Sequence, residues 1–422
     1  AKQAQLAHSP YHQYEREDCQ NMDAKDLRNV VILGHTGSGK TSLSEAALFH
    51  TKAITRLGTI TDGNTVSDFE PEEIKRGGSI QTTLVSIMDR DTKINFLDTP
   101  GYDDFLGEVV SAIRVVEGAA VVVSAPTGVD VGTERAWKMC DAAQIPRMFV
   151  VNKMDRENAN FAKNVADIQA SFGRKCIPFQ VPVGEANEFK GVISIIDPPS
   201  DIPEEVVADV ESARERLIEA AAENDDELGD RYLNGLEISH EEIIAAIRNA
   251  IRTSNLVPIL ATSSSPNAIG IDELLQTTQS FLPAPTDCQP PDMLNSVHPV
   301  EYSTEPAGPL AAFVFKTTAD PFVGKLSVFR VYQGTIKSNS EVWNSNREHS
   351  ERIGQLYLPK GKNQENVSEI TAGDIGAIGK LTETLTGDTL STKDNPVSFA
   401  KINQPVGFFR MAVTPVTKDD LA

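Results

Sequence analysis

The stretch GHTGSGKT, residues 34–41, fits the pattern G-x-x-x-x-G-K-[ST], and its flanks make it the strongest constraint on what this chain can fold into. The apolar run at 30–33 reads as a buried strand, and residues 42–50 carry Leu43, Ala46, Ala47 and Phe49 at helical spacing. Strand, glycine loop and helix in that order form a phosphate-binding unit. Gly37 and Gly39 let the backbone approach a pyrophosphate, the helix N-terminus presents free N–H groups, and Lys40 adds a point charge for the outer phosphates. Thr41 offers a hydroxyl to Mg²⁺, and Gly34, His35, Thr36, Ser38 and Ser42 complete the cradle. The alternative is a glycine turn that merely links strand to helix; correct flanks on both sides argue against it.

The length of 422 residues leaves room for two or three domains. Asp and Glu number 60 against 39 Lys and Arg, and the resulting net charge of −21 excludes a diffuse surface for free DNA or RNA, so any RNA contact must be local. Cys19, Cys140, Cys176 and Cys288 are widely spaced with no C-x-x-C pair, which suits a reducing cytoplasm rather than a zinc or disulfide framework. The first 26 residues are polar and read as a mobile tail, and no stretch approaches the apolar length of a membrane span.

Residues 51–83 show weak periodicity and read as a long functional loop, with Ser79 the candidate second hydroxyl for Mg²⁺. Two strands, 84–88 and 94–97, follow, and the second delivers Asp98, Thr99, Pro100 and Gly101. An Asp at the end of an apolar strand downstream of a phosphate loop supports Mg²⁺, and the Gly101 N–H can reach a γ-phosphate. A helix carrying Phe105, Val109, Ile113 and Val116 on one face is expected to move when that contact breaks. Strands at 119–123 and 148–151 lead to Asn152, Lys153, Met154 and Asp155. This NKxD pattern selects the base, because the Asp155 carboxylate accepts from both N1–H and the 2-amino group of guanine. The nucleotide is then GTP or GDP, with Asn152 tying the loop to the phosphate loop and Lys153 covering the ring with its aliphatic stem. The strand at 257–261 ends in Thr262, Ser263 and Ser264, placed to offer backbone N–H groups to guanine O6. About a hundred residues separate Asp155 from that strand, so an insertion is implied, with strands at 177–183 and 191–196 and an acidic helix from Val206 through Ala221.

Taken in order, GHTGSGKT, RGGSI, DTPG, NKMD and the Ser263–Ser264 loop resemble the translational GTPases, and elongation factor G in particular. The insertion, about 157–255, is similar to the G′ subdomain of that family. Residues 283–307 are proline-rich and suit a linker. Residues 308–405 resemble the β-barrel domain II, whose alternating strands and glycine-bearing turns also suggest a small barrel on their own. Residues 406–422 look like the start of domain III. The fold expected is therefore α/β, a P-loop GTPase domain over 27–282 with a mostly parallel sheet and helices on both faces, followed by an all-β barrel. The resemblance implies a cytoplasmic monomer that hydrolyses GTP with Mg²⁺ and meets the ribosome locally through rRNA and stalk proteins.

Four departures from the family fall at the chemistry. The usual His after DTPG is Tyr102, and a phenol donates a hydrogen bond but accepts a proton poorly at neutral pH. In the phosphate loop the usual Ile-Asp is Thr36-Gly37, and in the switch loop the usual Ile is Gly78. Candidate catalytic residues are thus Tyr102, Lys40 and Gly101. Two functions stand open at this point: a GTP-hydrolysing, elongation-factor-G-like switch, or a GTP-binding ribosome-associated regulatory, protection or recycling factor with little hydrolysis.

Overall fold

The computed structural model describes residues 22–264, 266–289, 291, 293–294, 304–320, 323–407, 411–412, 414–415 and 417. The expected tail up to residue 21, part of the 283–307 linker and most of the domain III start expected over 406–422 lie outside the described residues.

Seven strands form one sheet: β1 (Leu27–Leu33), β2 (Thr83–Asp89), β3 (Thr92–Asp98), β4 (Gly118–Ser124), β5 (Arg147–Asn152), β6 (Cys176–Pro178) and, after the insertion, β9 (Val257–Ala261), in the order β2-β3-β1-β4-β5-β9-β6. Only β2 runs antiparallel to its neighbour. The central strands are apolar throughout because both faces are covered. Along β1, Val31 and Leu33 enter a core shared with α3 (Leu106–Ile113), α4 (Val131–Ala143) and α5 (Phe161–Phe172), while Val30 and Ile32 enter the opposite core with α1 (Lys40–His50) and α9 (Ile271–Phe281). The mostly parallel sheet with helices on both faces is the expected α/β architecture.

Three local expectations need correction. The loop expected over 51–83 contains a short helix, α2 (Pro71–Arg76), which begins with proline, is capped where the Glu70 N–H donates to Glu73 Oε2 at 3.2 Å, and ends at Gly77. Six residues are too few to show a helical period. The helix after DTPG is shorter than its apolar pattern suggested: Phe105 sits in a 3₁₀ turn, and Val116 lies past the helix end while still buried in the same core. The strand expected over 177–183 is two strands. β6 joins the main sheet beside β9, whereas β7 (Gln180–Val183) turns away and pairs with β8 (Gly191–Ser194). The remainder of the insertion is helical, with α6 (Val207–Ala222), α7 (Asp226–Leu233) and α8 (His240–Arg252).

Downstream, eight antiparallel strands between Ala311 and Val367 and onward to Ser391 build the second, all-β domain, centred on the long pair Ala311–Asp320 and Gly324–Gln333. A buried polar seam holds it to the sheet. Arg330 Nη2 donates to Glu117 Oε1 at 2.7 Å, and Lys93 Nζ donates to Asp374 Oδ2 at 2.6 Å. Asn29 and Asn95 use their amides on Glu117 Oε2 at 2.9 Å and Asp374 Oδ1 at 3.0 Å.

Candidate functional site

The phosphate loop connects β1 to α1, and the backbone of Gly34, Gly37 and Gly39 is in left-handed or otherwise glycine-favouring conformations. Gly39 is the position where this matters most: it caps α1 at φ +99°, and a Cβ there would lie 2.4 Å from Asn152 Nδ2. The loop therefore packs directly onto the segment 152–155. Asn152 Nδ2 donates to Ser38 O at 3.3 Å and Gly39 O at 3.4 Å, and Lys153 Nζ donates to Gly37 O at 2.6 Å. Asn152 Oδ1 in turn accepts from the Ser264 N–H at 3.1 Å and from Ser264 Oγ at 2.8 Å, while Ser263 Oγ donates to Asp155 Oδ1 at 2.7 Å. Three segments far apart in sequence, 34–41, 152–155 and 262–264, thus share one hydrogen-bonded frame.

On the phosphate side, Lys40 is buried and donates to Gly34 O at 3.0 Å and His35 O at 2.9 Å, so its ammonium is held inside the loop. Burial brings its pKa down to about 8, with the Asp98 charge acting the other way. The DTPG segment presses on the same point: a Cβ at Gly101 would sit 2.6 Å from Lys40 Nζ and 2.6 Å from the Thr36 N. Here only glycine fits. His35 backs onto the start of α4 at Gly132, and Ser42 is half-buried in the first turn of α1.

The two hydroxyls expected at the metal are brought together, with Thr41 Oγ1 and Ser79 Oγ 3.1 Å apart in a buried setting. Beside them stand two buried carboxylates, Asp98 and Asp68, and none of their four oxygens has a hydrogen-bond partner among the described residues. Burial, followed by the neighbouring Asp68 charge, raises Asp98 to about 7; Thr41 and Ser67 stand close enough to favour its charge without reaching hydrogen-bonding geometry. Burial likewise raises Asp68, against the Lys40 charge and the nearby Ser79 and Thr41 hydroxyls. Hard divalent cations take carboxylate and hydroxyl oxygens. Two hydroxyls and two carboxylates with no other partner fit that donor set.

Two residues of this site escaped the sequence reading. Asp68 is one. Glu73 is the other: its Oε1 accepts the Ile80 N–H at 3.0 Å and the Gln81 N–H at 3.2 Å, which fixes the segment that carries Ser79. Tyr102 stands apart from the buried cluster. It is 38 % exposed, its ring flanks Gly78 at 3.4 Å from where a Cβ would be, and it lines a small hollow with Gly34, Pro100 and Arg135.

The chain from 25 to 284 matches the family model of the elongation factor Tu GTP-binding domain, which is more than half of its length. Residues 309–393 match elongation factor G domain 2. The chain belongs to the translational GTPases of the elongation factor G type. A crystal structure of a protein from Thermus thermophilus is similar to this elongation-factor-G-type chain at 31 % identity and a TM-score of 0.77, over 88 % of this chain. The chain spans about half, 54 %, of that protein. Guanine-nucleotide binding is the property of the GTPase domain family. Among the described residues no helix is long and apolar enough to cross a membrane.

Proposed function

We propose that this chain binds GTP with Mg²⁺, hydrolyses it, and acts on the ribosome as an elongation-factor-G-like switch. The observation that carries this reading is the buried group of Thr41, Ser79, Asp68, Asp98 and Lys40. Two hydroxyls 3.1 Å apart and two unpartnered carboxylates are costly to bury unless a cation is bound there for part of the cycle. Thr41 and Ser79 would hold Mg²⁺, with Asp98 and Asp68 behind them. That ion would neutralise phosphate charge. Lys40 and the loop amides bind the phosphates, Gly101 presents its N–H to the γ-phosphate, and Asp155 reads guanine while Asn152, Lys153, Ser263 and Ser264 hold its loop in place. Because Ser79 and Gly101 lie on different segments, losing the γ-phosphate releases both.

The exposure of Tyr102 and its position against Gly78 favour slow hydrolysis away from the ribosome. Thr36 and Gly78 stand where the family has apolar gate residues, and a positioned base or its equivalent contributes roughly 10²–10⁴ in rate. The test is ribosome-stimulated GTP turnover by the full-length protein. We expect stimulation, with Tyr102→Phe lowering turnover and leaving GTP affinity unchanged. Turnover that ribosomes do not stimulate sinks the translocation-type reading and leaves a GTP-binding regulatory factor. Equal competition by ATP and GTP, or no shift toward xanthine nucleotides in Asp155→Asn, sinks the guanine assignment.

A further inference from the structure

At the opposite end of β1 from the phosphate loop, Arg28, Arg248 and Arg252 line an open cavity of about 530 Å³ between the start of β1, the last turns of α8 and the end of α9. Three guanidiniums around one hollow run against the composition of a chain with a net charge of −21. Arg248 and Arg252 are four residues apart on α8 and so share a face, while Arg28 reaches the hollow from the sheet.

Helix capping accounts for part of the arrangement. Arg28 Nη2 donates to Gln279 O at 2.7 Å and Arg248 Nε to Ser280 O at 2.8 Å, both in the last turn of α9. Arg28 Nη1 donates to Lys25 O and Leu27 O at 2.8 and 2.7 Å, and Arg252 Nη2 reaches only Asn249 Oδ1 at 3.3 Å. Those bonds leave most N–H donors of Arg248 and Arg252 uncommitted among the described residues, and Arg28 Nε is buried with no partner. None of the three forms an ion pair among the described residues. The one carboxylate in the wall, Asp287, spends Oδ2 on the Ala284 N–H at 2.9 Å. Burial lowers the pKa of Arg28, Asp287 opposes that, and Arg248 repels it further. The cluster is thus electrostatically uncomfortable without an anion.

We infer that this hollow is a second anion site, which takes a phosphate group carried by free polyphosphate or by an RNA backbone. Planar guanidiniums match phosphate oxygens in bidentate pairs, and three guanidiniums that converge from two elements, β1 and α8, suit a compact anion with several oxygens. An acidic helix of a protein partner would instead need positive charges spread along a face. β1 sets the distance from the nucleotide phosphates: six residues at about 3.3 Å each is roughly 20 Å, so the two sites are separate.

The experiment loads the protein with GDP and Mg²⁺, so that the phosphate loop is filled, and titrates pyrophosphate by calorimetry against a chloride control of equal ionic strength. Saturable binding is expected, weakened about tenfold or more in R248Q/R252Q, with GDP affinity and circular dichroism unchanged. A labelled single-stranded RNA provides the second arm. Competition between RNA and pyrophosphate, lost in the same variant, identifies the backbone as the source; saturable pyrophosphate binding without RNA competition identifies free polyphosphate. The inference is overturned if pyrophosphate does not saturate, if R248Q/R252Q binds it as well as the unmodified protein, or if only polyglutamate shows the arginine dependence.

Discussion

Two regions of this molecule bury charge, and they treat it in opposite ways. In the seam between the sheet and the β-barrel, both oxygens of Glu117 and both of Asp374 accept hydrogen bonds from Arg330, Lys93, Asn29, Asn95 or the Ile375 N–H. Beside the phosphate loop, the four oxygens of Asp68 and Asp98 accept none among the described residues. A buried charge with its partners supplied by the chain serves the fold. One without them needs something from outside the chain. The contrast separates residues that build from residues that bind, and it does so without reference to any motif.

The largest expected effect comes from breaking the satisfied region. Glu117→Ala leaves the Arg330 guanidinium, 1 % exposed, without its carboxylate, and should destabilise the protein by about 3–5 kcal/mol in urea unfolding. Replacing both partners, in E117L/R330M, should recover much of that loss, because the penalty lies in the charge left behind. If the single replacement is nearly neutral, the seam is not a structural bond and the comparison fails on that side.

Next in size is the opposite change at the unsatisfied region. Asp98→Asn removes a buried charge whose oxygens accept no hydrogen bond among the described residues and which Lys40 offsets only in part, so the metal-free, nucleotide-free protein should gain about 1–3 kcal/mol at pH 8 while the Mg²⁺ dependence of GTP binding is lost. Stability against pH sharpens this. Asp98 titrates at about 7 in the folded protein against an ordinary 3.8, so between those values the unfolded chain has released a proton that the folded chain keeps. The folded state binds more protons in that window, and stability therefore falls as pH rises from about 4 to about 7 and is level above it. The Asn variant should lack that component of the slope. A metal-free protein whose unfolding shows the same pH dependence with and without Asp98 would remove the argument from burial.

How much of this was readable from the residues follows the same division. The phosphate loop, DTPG and NKMD are local patterns whose spacing is fixed by a single strand, turn or helix start, so Lys40, Thr41, Asp98, Asn152 and Asp155 could be named from the chain alone and lie together in the fold. Asp68 could not. It sits in a polar loop eleven positions before Ser79, and only tertiary packing buries it beside Lys40. The short helix α2 and the role of Glu73 were equally hidden, since one turn and a half gives no period. The seam was beyond reach for a different reason: Arg330 and Glu117 are 213 residues apart, and no spacing rule spans two domains. The arginine hollow shares this property, because Arg28 and Arg248 meet only through the fold.

The smallest expected effect comes from a further charge pair between the two domains, nearer the phosphate loop than the seam. Lys316 of the barrel donates to Glu108 Oε2 at 2.9 Å and to Thr82 O at 2.8 Å, and Glu108 Oε2 also accepts the Thr82 N–H at 2.7 Å. One ammonium thus holds the end of the Ser79 segment and the start of α3, the two segments that lead away from the proposed γ-phosphate contacts. The barrel grips the first segment a second time, where the Gly361 N–H donates to Leu84 O at 2.9 Å and the Lys362 N–H to Val66 O at 3.2 Å. The pair is part-buried, with Glu108 still about a third exposed, so Lys316→Gln should lower stability by only about 1 kcal/mol. Its informative readout is hydrogen exchange. If the barrel transmits the state of the phosphate site, the variant should exchange faster at 79–84 and 106–109, and the difference between the GDP state and a non-hydrolysable GTP analogue should shrink there while residues 152–155 are unaffected. Unchanged exchange at both segments would mean that the backbone contacts at 361 and 362 suffice, and that Lys316 belongs with the seam rather than with the switch.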